Sequence, residues 1–193
     1  MALLGHPAGR RRQARRLRLT LAFLIALTAA PAALAQPPSL EYAVKANFLT
    51  KFGLFVEWPP QAFGSADATF NICVAGRDPF GQALDDAVRG QTVDGHPIAV
   101  RRLQTITARP GCHVLYVGKS YDQRAADVLG LVHGAPILTV TDEGVGTGGG
   151  LVHFVLRQGR VRFGVDAGAA QADGLTISSK LLGLAVPIQR AGG

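Results

Sequence analysis

Residues 40–56 contain a helical stripe of large apolar residues. These residues recur at helical spacing: Leu40, Val44, Phe48, Phe52 and Phe55 or Val56. The positions that fall off the stripe are polar: Glu41, Lys45, Asn47, Thr50 and Lys51. Ser39 stands where a helix cap belongs, and Pro59-Pro60 ends the helix because a residue before proline leaves the α region. The pattern predicts a helix that buries the apolar stripe.

Short alternating or wholly apolar runs then predict strands at residues 69–76, 96–103, 112–118 and 135–142. Two further runs flank Gln158-Gly159 within residues 151–166, which is the signal of a β-hairpin. Helical patterns occupy residues 79–88, 121–132, 167–174 and 176–185. Strands that alternate with helices indicate the α/β class. We therefore predict a single layered domain with a mixed β-sheet, flanking helices and a late β-hairpin.

The first 35 residues have the pattern of a cleaved signal peptide. Six arginines and no acidic residue precede an apolar run, residues 19–30, that is shorter than the about 20 residues of a membrane span. Small residues follow at Ala33 and Ala35, where signal peptidase reads them. We predict cleavage after Ala35, and a cysteine for lipid attachment is missing at position 36. Residues 36–193 are then one exported, soluble domain with no membrane span.

The positive net charge of the chain comes almost entirely from the predicted signal peptide. The whole chain carries a net charge of +7, which is typical of proteins that bind nucleic acids or acidic membranes. Six of its 20 lysine and arginine residues lie in the leader, which leaves 14 basic residues against 13 acidic ones. A net charge of +1 gives no support to nucleic-acid binding.

The two cysteines, Cys73 and Cys112, admit two interpretations. An exported chain meets an oxidising compartment, so one intrachain disulfide is expected, worth about 4 kcal/mol in the chain-entropy model. A redox-active thiol pair is the alternative. The cysteines lie far apart in sequence and form no C-x-x-C motif, which favours the structural bridge.

Two glycine motifs resemble phosphate-binding loops only in part. The run "VGKS" at residues 117–120 lacks the earlier glycine of a P-loop, because position 113 is His113, so a strand-to-helix turn explains it better. The run "GVGTGGG" at residues 144–150 opens a strand rather than a helix, so it lacks the helix N-terminus that holds a pyrophosphate. A tight or flexible connection is favoured there, and a ligand-binding loop stays open as the alternative.

No residue pattern predicts catalysis or a bound cofactor. Residues 36–193 hold four histidines, scattered singly and without a partner at metal-ligand spacing: His96, His113, His133 and His153. Packing roles are favoured for them. Asp142-Glu143 is interpreted as a solvated loop tip rather than half of a carboxylate pair. The motifs G-x-S-x-G and S-x-x-K are missing from the sequence.

The ordered series of segments resembles the YfiR family of small periplasmic proteins. The series covers nearly all of the mature chain: "VKANFLTKFGLFVEWP", "FNICVAGRDPFGQALD", "GHPIAVRRL", "CHVLYVGKS", "PILTVTD", a Gly-rich run, "VHFVLRQGRVRFGVD" and "GLTISSKLLGLA". The resemblance implies an α/β protein that is not an enzyme and tends to form homodimers. Cys73 and Cys112 match the positions of a family disulfide. Some members carry a second cysteine pair near the Gly-rich run, and its absence here puts redox control in doubt.

The resemblance also implies a function and partners. The protein is expected to repress an inner-membrane diguanylate cyclase through that enzyme's periplasmic sensor domain, which lowers cyclic-di-GMP and biofilm formation. An outer-membrane lipoprotein related to peptidoglycan binders is expected to draw it away. Alternatives are a periplasmic small-ligand-binding module, an accessory protein of a sensor histidine kinase, and a hydrolase or thiol enzyme.

Four residues are candidates for contacts with a partner or ligand: Trp58, Gly146, Gly148 and Gly149. Trp58 is the only tryptophan and lies in "FGLFVEWPP". A role at the edge of the core is favoured for it, with Glu57 exposed beside it. If Trp58 is partly exposed, it becomes a contact candidate, because aromatic residues are enriched at interface hot spots.

Overall fold

The computed structural model describes residues 39–65, 68–120, 122–143 and 149–187. The predicted leader with its cleavage site after Ala35 lies outside these ranges, as do Gly146 and Gly148. The predictions that concern them stay predictions.

Helices and strands alternate along the described chain. The helices are α1 (Leu40–Phe52), α2 (Gln82–Val88), α3 (Ala125–Val132), α4 (Ala167–Ala172) and α5 (Ser179–Leu184). The strands are β1 (Val56–Glu57), β2 (Phe70–Ala75), β3 (Thr92–Val93), β4 (His96–Leu103), β5 (Val114–Val117), β6 (Leu138–Asp142), β7 (Val152–Arg157), β8 (Arg160–Val165) and β9 (Thr176–Ile177). Short 3₁₀ turns occupy Gly53–Phe55 and Pro60–Ala62.

The main sheet has seven strands in the order β3-β4-β2-β5-β6-β7-β8. Strands β4, β2, β5, β6 and β7 are parallel, and β3 and β8 pair antiparallel at the two edges. Gln158 and Gly159, both at positive φ, turn β7 into β8, as a two-residue hairpin with a primed turn requires. The predicted mixed sheet and late hairpin are confirmed.

Both faces of the parallel sheet are covered. Side chains alternate along each strand, so β5 sends Val114 and Tyr116 to one face and Leu115 and Val117 to the other. The first face packs in one cluster with residues of α1, α2, α4 and α5, and the second packs with α3. Parallel strands covered on both sides read as continuous apolar runs, which is the pattern of β5.

The predicted buried stripe of α1 is wrong in its first half. Leu40 is 82% exposed and Val44 is exposed as well, whereas Lys45 is 4% and Thr50 3% exposed. The Lys45 side of the helix faces the sheet, where the ammonium group of Lys45 donates a hydrogen bond to the buried Asp142. Phe48 and Phe52 do pack into the core, as predicted.

Several predicted element boundaries also shift. Helix α1 ends at Phe52 rather than near the prolines, since Val56 and Glu57 leave it to pair with β9 as β1. The same pairing makes Thr176–Ile177 a strand, so the predicted closing helix starts only at Ser179. The helix predicted from residue 121 begins at Ala125. Two-residue strands depend on a distant partner, and local pattern does not predict them.

The Gly-rich run forms part of an unusually short parallel connection. Strands β6 and β7 are parallel neighbours, with Val140 opposite Val152, and residues 143–151 alone connect them. Such crossovers usually need a dozen or more residues. A Cβ atom on Gly150 would lie 3.0 Å from the carbonyl oxygen of Val152 and 3.1 Å from that of Thr139. Gly150 therefore lets backbone segments approach closely, which supports the tight-connection interpretation at that position.

Candidate functional site: a crevice at the carboxyl ends of the strands

The order of the strands creates a crevice between β2 and β5. After β2 the chain passes through α2 to β4 on one side, and after β5 it passes through α3 to β6 on the other. Helices α2 and α3 therefore cover opposite faces of the sheet. In open α/β sheets, ligands bind at the carboxyl ends of strands where the connections diverge in this way. The topology makes this crevice the first candidate site.

The two loops that leave the crevice are fixed to each other through their backbones. Arg77 N–H donates to the carbonyl oxygen of Lys119 at 2.8 Å, and Gly118 N–H donates to that of Ala75 at 2.9 Å. A Cβ on Gly76, whose φ is +79°, would lie 2.7 Å from the Lys119 oxygen, and one on Gly118 would lie 2.8 Å from the Arg77 oxygen. Only glycine fits at either position. These backbone hydrogen bonds place Arg77 and Lys119 next to each other.

A buried polar network forms the floor of the crevice. The Oδ2 atom of Asp142 accepts hydrogen bonds from Tyr116 OH at 2.7 Å, Lys45 Nζ at 3.0 Å and Tyr42 OH at 3.2 Å. Lys45 also pairs with Glu41, one helical turn earlier. Asp142 is 1% exposed, so this network joins the end of β6 to the buried side of α1.

The interpretation of Asp142-Glu143 as a solvated loop tip is therefore wrong for Asp142. Strand β6 runs through Asp142, which stands opposite Phe154 of β7. Glu143 is exposed and pairs with Arg157 at 3.2 Å, so Glu143 is solvated as predicted.

The network keeps both of its ionic groups charged. Burial by itself disfavours the carboxylate of Asp142, but hydrogen bonds from Tyr116 and Lys45 outweigh it and lower the pKa of Asp142 below its ordinary value. Burial also disfavours the ammonium of Lys45, yet its bonds to Glu41 and Asp142 raise the pKa of Lys45. Burial, and then the charge of Asp142, raise the pKa of Tyr116. The floor therefore consists of the Lys45–Asp142 ion pair and the neutral phenols of Tyr42 and Tyr116.

A cavity of about 210 Å³ opens above this floor. The residues that line it are Tyr42, Arg77, Pro79, Tyr116, Gly118, Lys119 and Asp142. Arg77 and Lys119 are exposed and form its rim, while Tyr116 and Asp142 are buried and form its base. Two basic residues therefore lie at the rim, above a floor in which Lys45 and Asp142 form an ion pair.

A second cavity, of about 390 Å³, lies beside Gly149. It is lined by Leu129, Gly130, Val132, His133, Thr139, Gly149, Leu151, Ala169 and Asp173. Asp173 is buried and accepts a hydrogen bond from Gly134 N–H at 2.8 Å. Of the Gly-rich candidates, Gly149 is thus placed beside a cavity, and Gly146 and Gly148 lie outside the described residues.

Trp58 lies at the opposite, amino ends of the strands. Its ring packs edge-on against Phe70 at 5.3 Å and His113 at 5.8 Å between centroids, and its Nε1–H donates to the carbonyl oxygen of Gly53 at 3.4 Å. Trp58 is half-buried. Gly149 lines the larger cavity, and Trp58 is not among the described residues that line either cavity. A role of Trp58 or Gly149 in binding stays a prediction.

The neighbours of Trp58 form an aromatic stack. Phe63 lies between His96, at 4.2 Å, and His113, at 4.7 Å. His113 Nδ1 accepts a hydrogen bond from Asn71 N–H, and its Nε2–H donates to the carbonyl oxygen of Ala62. Burial lowers the pKa of His113, so the ring stays neutral. The predicted packing roles of His96 and His113 are confirmed.

The predicted disulfide joins Cys73 of β2 to Cys112, just before β5. Both cysteines are buried in the cluster on the α3 face. The bridge joins the middle of β2 to the segment just before β5, and neither cysteine is a free thiol, which favours the structural interpretation.

The described part of the chain holds no cluster of histidine, cysteine, aspartate or glutamate suited to a metal ion. Across the same residues, no helix has the length and apolarity to cross a membrane.

Comparison with known proteins places this fold in a family. The family model described as YfiR/HmsC-like matches residues 42–186, which includes the crevice, the disulfide and Trp58. The chain belongs to the YfiR/HmsC-like family. A search of the curated proteins found no match. The family is one of periplasmic, regulatory and non-catalytic proteins linked to diguanylate cyclase signalling.

In this YfiR/HmsC-like protein, the sequence pattern does not predict the polar floor formed by Lys45, Tyr116 and Asp142. Lys45 follows Glu41 by four residues, a spacing that also fits an exposed helical pair. Tyr116 lies in an apolar strand, and Asp142 ends one. The available signal was an acidic residue at the carboxyl end of a predicted parallel strand, which is where ligand sites of this architecture collect.

Proposed function

We propose that this protein is a periplasmic repressor of an inner-membrane diguanylate cyclase. It binds the cyclase's periplasmic sensor domain and thereby lowers cyclic-di-GMP and biofilm formation. The observation that carries the proposal is the family match over residues 42–186, nearly all of the described domain. The predicted leader, with cleavage after Ala35, supports export to the compartment where that sensor domain lies.

The chemistry of the buried Asp142 carboxylate does not suit a general base. A general base works best when its pKa lies near the operating pH. The pKa of Asp142 is lowered instead, and its Oδ2 atom already accepts three hydrogen bonds. Asp142 therefore acts as a fixed partner of Lys45 and the tyrosines.

Repression needs only a modest difference in affinity. A protein that binds the inactive sensor conformation more tightly than the active one shifts the cyclase towards inactivity. From a balanced equilibrium, about 2.7 kcal/mol of differential affinity holds 99% of the partner inactive, half the roughly 5.5 kcal/mol of a full reversal. A small interface can supply that difference.

The direct test is binding between purified components. The exported protein is titrated against the periplasmic domain of each membrane-bound diguanylate cyclase encoded by the same genome, with calorimetry as the measurement. Saturable binding to at least one of these domains is expected. Binding to none of them would contradict the proposal, and binding instead to the periplasmic domain of a sensor histidine kinase would favour the accessory-protein alternative.

The proposal extends to two further partners. An outer-membrane, peptidoglycan-binding lipoprotein would compete with the cyclase for this protein, and a second copy of the chain would form a homodimer. Sedimentation of the exported protein alone and with the lipoprotein tests both. A monomer at all concentrations would remove the homodimer from the proposal.

Small-ligand binding beside the Gly-rich run is the second candidate function. The observation that favours it is the cavity of about 390 Å³ lined by Gly149 and Leu151. Its volume lies within the about 300–1,000 Å³ of typical ligand pockets. Introducing a bulky side chain with Leu129→Trp would fill this space and abolish ligand binding there without changing cyclase binding.

A further inference from the structure

We propose that the cavity between α3 and α4 binds a small organic cation, with an ammonium or guanidinium group on Asp173 and an apolar body against the cavity walls. The cavity has a volume of about 390 Å³, and Asp173 is among the residues that line it. This inference rests on the second candidate function, small-ligand binding beside the Gly-rich run, and adds the charge of the ligand. It does not depend on repression of a cyclase.

Asp173 is a buried carboxylate without a cationic partner in the described part of the chain. The residue is 7% exposed, and its Oδ1 atom accepts a hydrogen bond from Gly134 N–H at 2.8 Å. None of the salt bridges among the described residues includes Asp173 or the neighbouring His133. Burial of a carboxylate is costly unless a counter-charge or several hydrogen bonds compensate it. A cation beside Asp173 would therefore be favourable.

The other buried aspartate of the described residues, Asp142, shows what such compensation looks like. Asp142 is 1% exposed, and its Oδ2 atom accepts hydrogen bonds from Lys45 and from two tyrosines. At Asp142 the protein itself supplies the cation. At Asp173 the adjoining space is a cavity instead. The comparison indicates that the counter-charge of Asp173 comes from a ligand.

The second carboxylate oxygen of Asp173 is accessible from the cavity. Every fully buried side-chain nitrogen and oxygen atom of the described residues has a hydrogen-bond partner. The Oδ2 atom of Asp173 has no partner among these residues, so it is not fully buried, and the space that Asp173 borders is the cavity. A ligand can therefore bind Oδ2 without displacing the Gly134 N–H from Oδ1.

Two helices end at this cavity. Helix α3 ends at Val132 and is followed by His133, and helix α4 ends at Ala172 and is followed by Asp173. Val132, His133 and Asp173 all line the cavity. The carbonyl groups at the carboxyl end of a helix carry partial negative charge, which favours a cation. The helix ends therefore add to the preference that Asp173 creates.

The walls define the body of the ligand. Apolar side chains line the cavity beside Asp173: Leu129, Val132, Leu151 and Ala169. These walls favour a small ring or a short aliphatic chain, because burial of apolar surface is favourable. An ammonium group on that body would make a charge-assisted hydrogen bond to Asp173.

The experiment titrates the exported protein, purified from the periplasm, with three probes that share one ring: phenethylamine, the neutral 2-phenylethanol and the anionic phenylacetate. Backbone amide NMR shifts of Gly130, which lines the cavity, and of Gly134 report binding at constant ionic strength. Phenethylamine should bind at least about tenfold more tightly than 2-phenylethanol, because it adds a charged hydrogen bond, and phenylacetate should bind most weakly.

The outcomes separate the charge of the ligand from the existence of the site. Equal Kd values for phenethylamine and 2-phenylethanol would overturn the proposed cation and keep the cavity as a ligand site. Failure of all three probes to saturate would overturn both this proposal and the second candidate function. Leu129→Trp, which fills the cavity, should abolish the binding of every probe.

Paired aspartate variants assign the preference to one carboxylate. Asp173→Asn keeps an acceptor for Gly134 N–H and should remove the preference for phenethylamine, with the Kd for 2-phenylethanol unchanged. That unchanged Kd distinguishes a lost charge from a damaged fold. Asp86→Asn, at an exposed position of α2, should keep the full preference. The same preference in both variants would overturn the role of Asp173.

Discussion

The two ends of the parallel strands are built from different interactions. At the amino ends, Trp58, Phe63 and His113 pack ring against ring, and a disulfide joins β2 to the segment before β5. At the carboxyl ends, an ion pair between Lys45 and Asp142 lies under an open cavity. The amino end is closed by aromatic packing and a disulfide, whereas the carboxyl end contains a buried ion pair and a cavity.

This difference assigns separate roles to the two ends. Aromatic packing and a disulfide hold a shape without leaving unmatched polar groups. A buried ion pair is a weaker way to gain stability, since desolvation opposes the Coulomb attraction, and such pairs are retained where position or specificity matters. We infer that the amino end stabilises the fold, whereas the ion pair at the carboxyl end fixes the position of α1 against β6.

The largest expected effect concerns the ion pair of the carboxyl end. Lys45→Met leaves the buried Asp142 carboxylate without its cation and should lower the free energy of unfolding by about 3–5 kcal/mol. Chemical denaturation measures the loss. Lys51→Met, at an exposed position of the same helix, should change it by less than about 0.5 kcal/mol.

A second substitution shows whether charge causes that loss. Adding Asp142→Asn to Lys45→Met removes the uncompensated charge and keeps an acceptor for Tyr116. Most of the lost stability should return. If the double variant is less stable than Lys45→Met, the loss comes from packing rather than from the unmatched carboxylate.

The disulfide tests the amino end. Replacing both partners, Cys73→Ala with Cys112→Ala, should lower the free energy of unfolding by about 4 kcal/mol in the chain-entropy model. Thermal unfolding with and without dithiothreitol provides the matched measurement. The reductant should lower the Tm of the natural chain and leave that of the double variant unchanged; an equal response of both would contradict a bridge that stabilises this end.

A pH series separates His113 from Asp142 by the pH range in which each contribution to stability is lost. Burial lowers the pKa of folded His113, so its contribution to stability is present above the unfolded value of about 6.5 and is lost as pH falls below it. The pKa of Asp142 is also lowered, so its contribution is lost only at more acidic pH, below about 3.9. Denaturation midpoints at pH 7.5 and pH 5.5 should therefore report on His113, together with His153 of β7, whose pKa burial also lowers, and not on Asp142.

One variant assigns the change between these pH values. Asn in place of His113 keeps an acceptor for Asn71 N–H and no longer titrates. His113→Asn should reduce the dependence and leave the part due to His153, whereas His133→Asn, at an exposed position, should not change it. Identical slopes in the two variants would remove His113 as the cause.

The smallest expected effect concerns Trp58. Trp58→Phe keeps a ring against Phe70 and His113 but loses the hydrogen bond to the Gly53 carbonyl oxygen. The free energy of unfolding should fall by about 0.5–1.5 kcal/mol. If this conservative change also weakens cyclase binding more than tenfold, Trp58 serves the interface as well as the aromatic stack.

The sequence predicts the two ends unequally. The strands, the hairpin at Gln158-Gly159 and the disulfide follow from local pattern and from the redox compartment, because alternation and turn residues are local properties. The polar floor does not follow, because Lys45 and Asp142 lie far apart along the chain and meet only when α1 packs on the sheet. Once Lys45 finds that partner, its side of α1 is buried and Leu40 is left in solvent.

Short pairings escape prediction for the same reason. The β1–β9 pair joins Val56 to Ile177, and neither two-residue strand has a pattern of its own. The parallel placement of β6 and β7 around the Gly-rich run also depends on register across the sheet. Glycine content predicts a tight connection there but not the direction of the strand that follows.

The measurement that tests the proposed function most directly is cellular cyclic-di-GMP after deletion of the gene. The gene is then restored in two forms, as the full chain and as a chain without residues 1–35. The account predicts that cyclic-di-GMP rises on deletion and that only the exported form lowers it again. An unchanged level on deletion, or equal restoration by the form without the leader, would contradict a periplasmic repressor of a diguanylate cyclase.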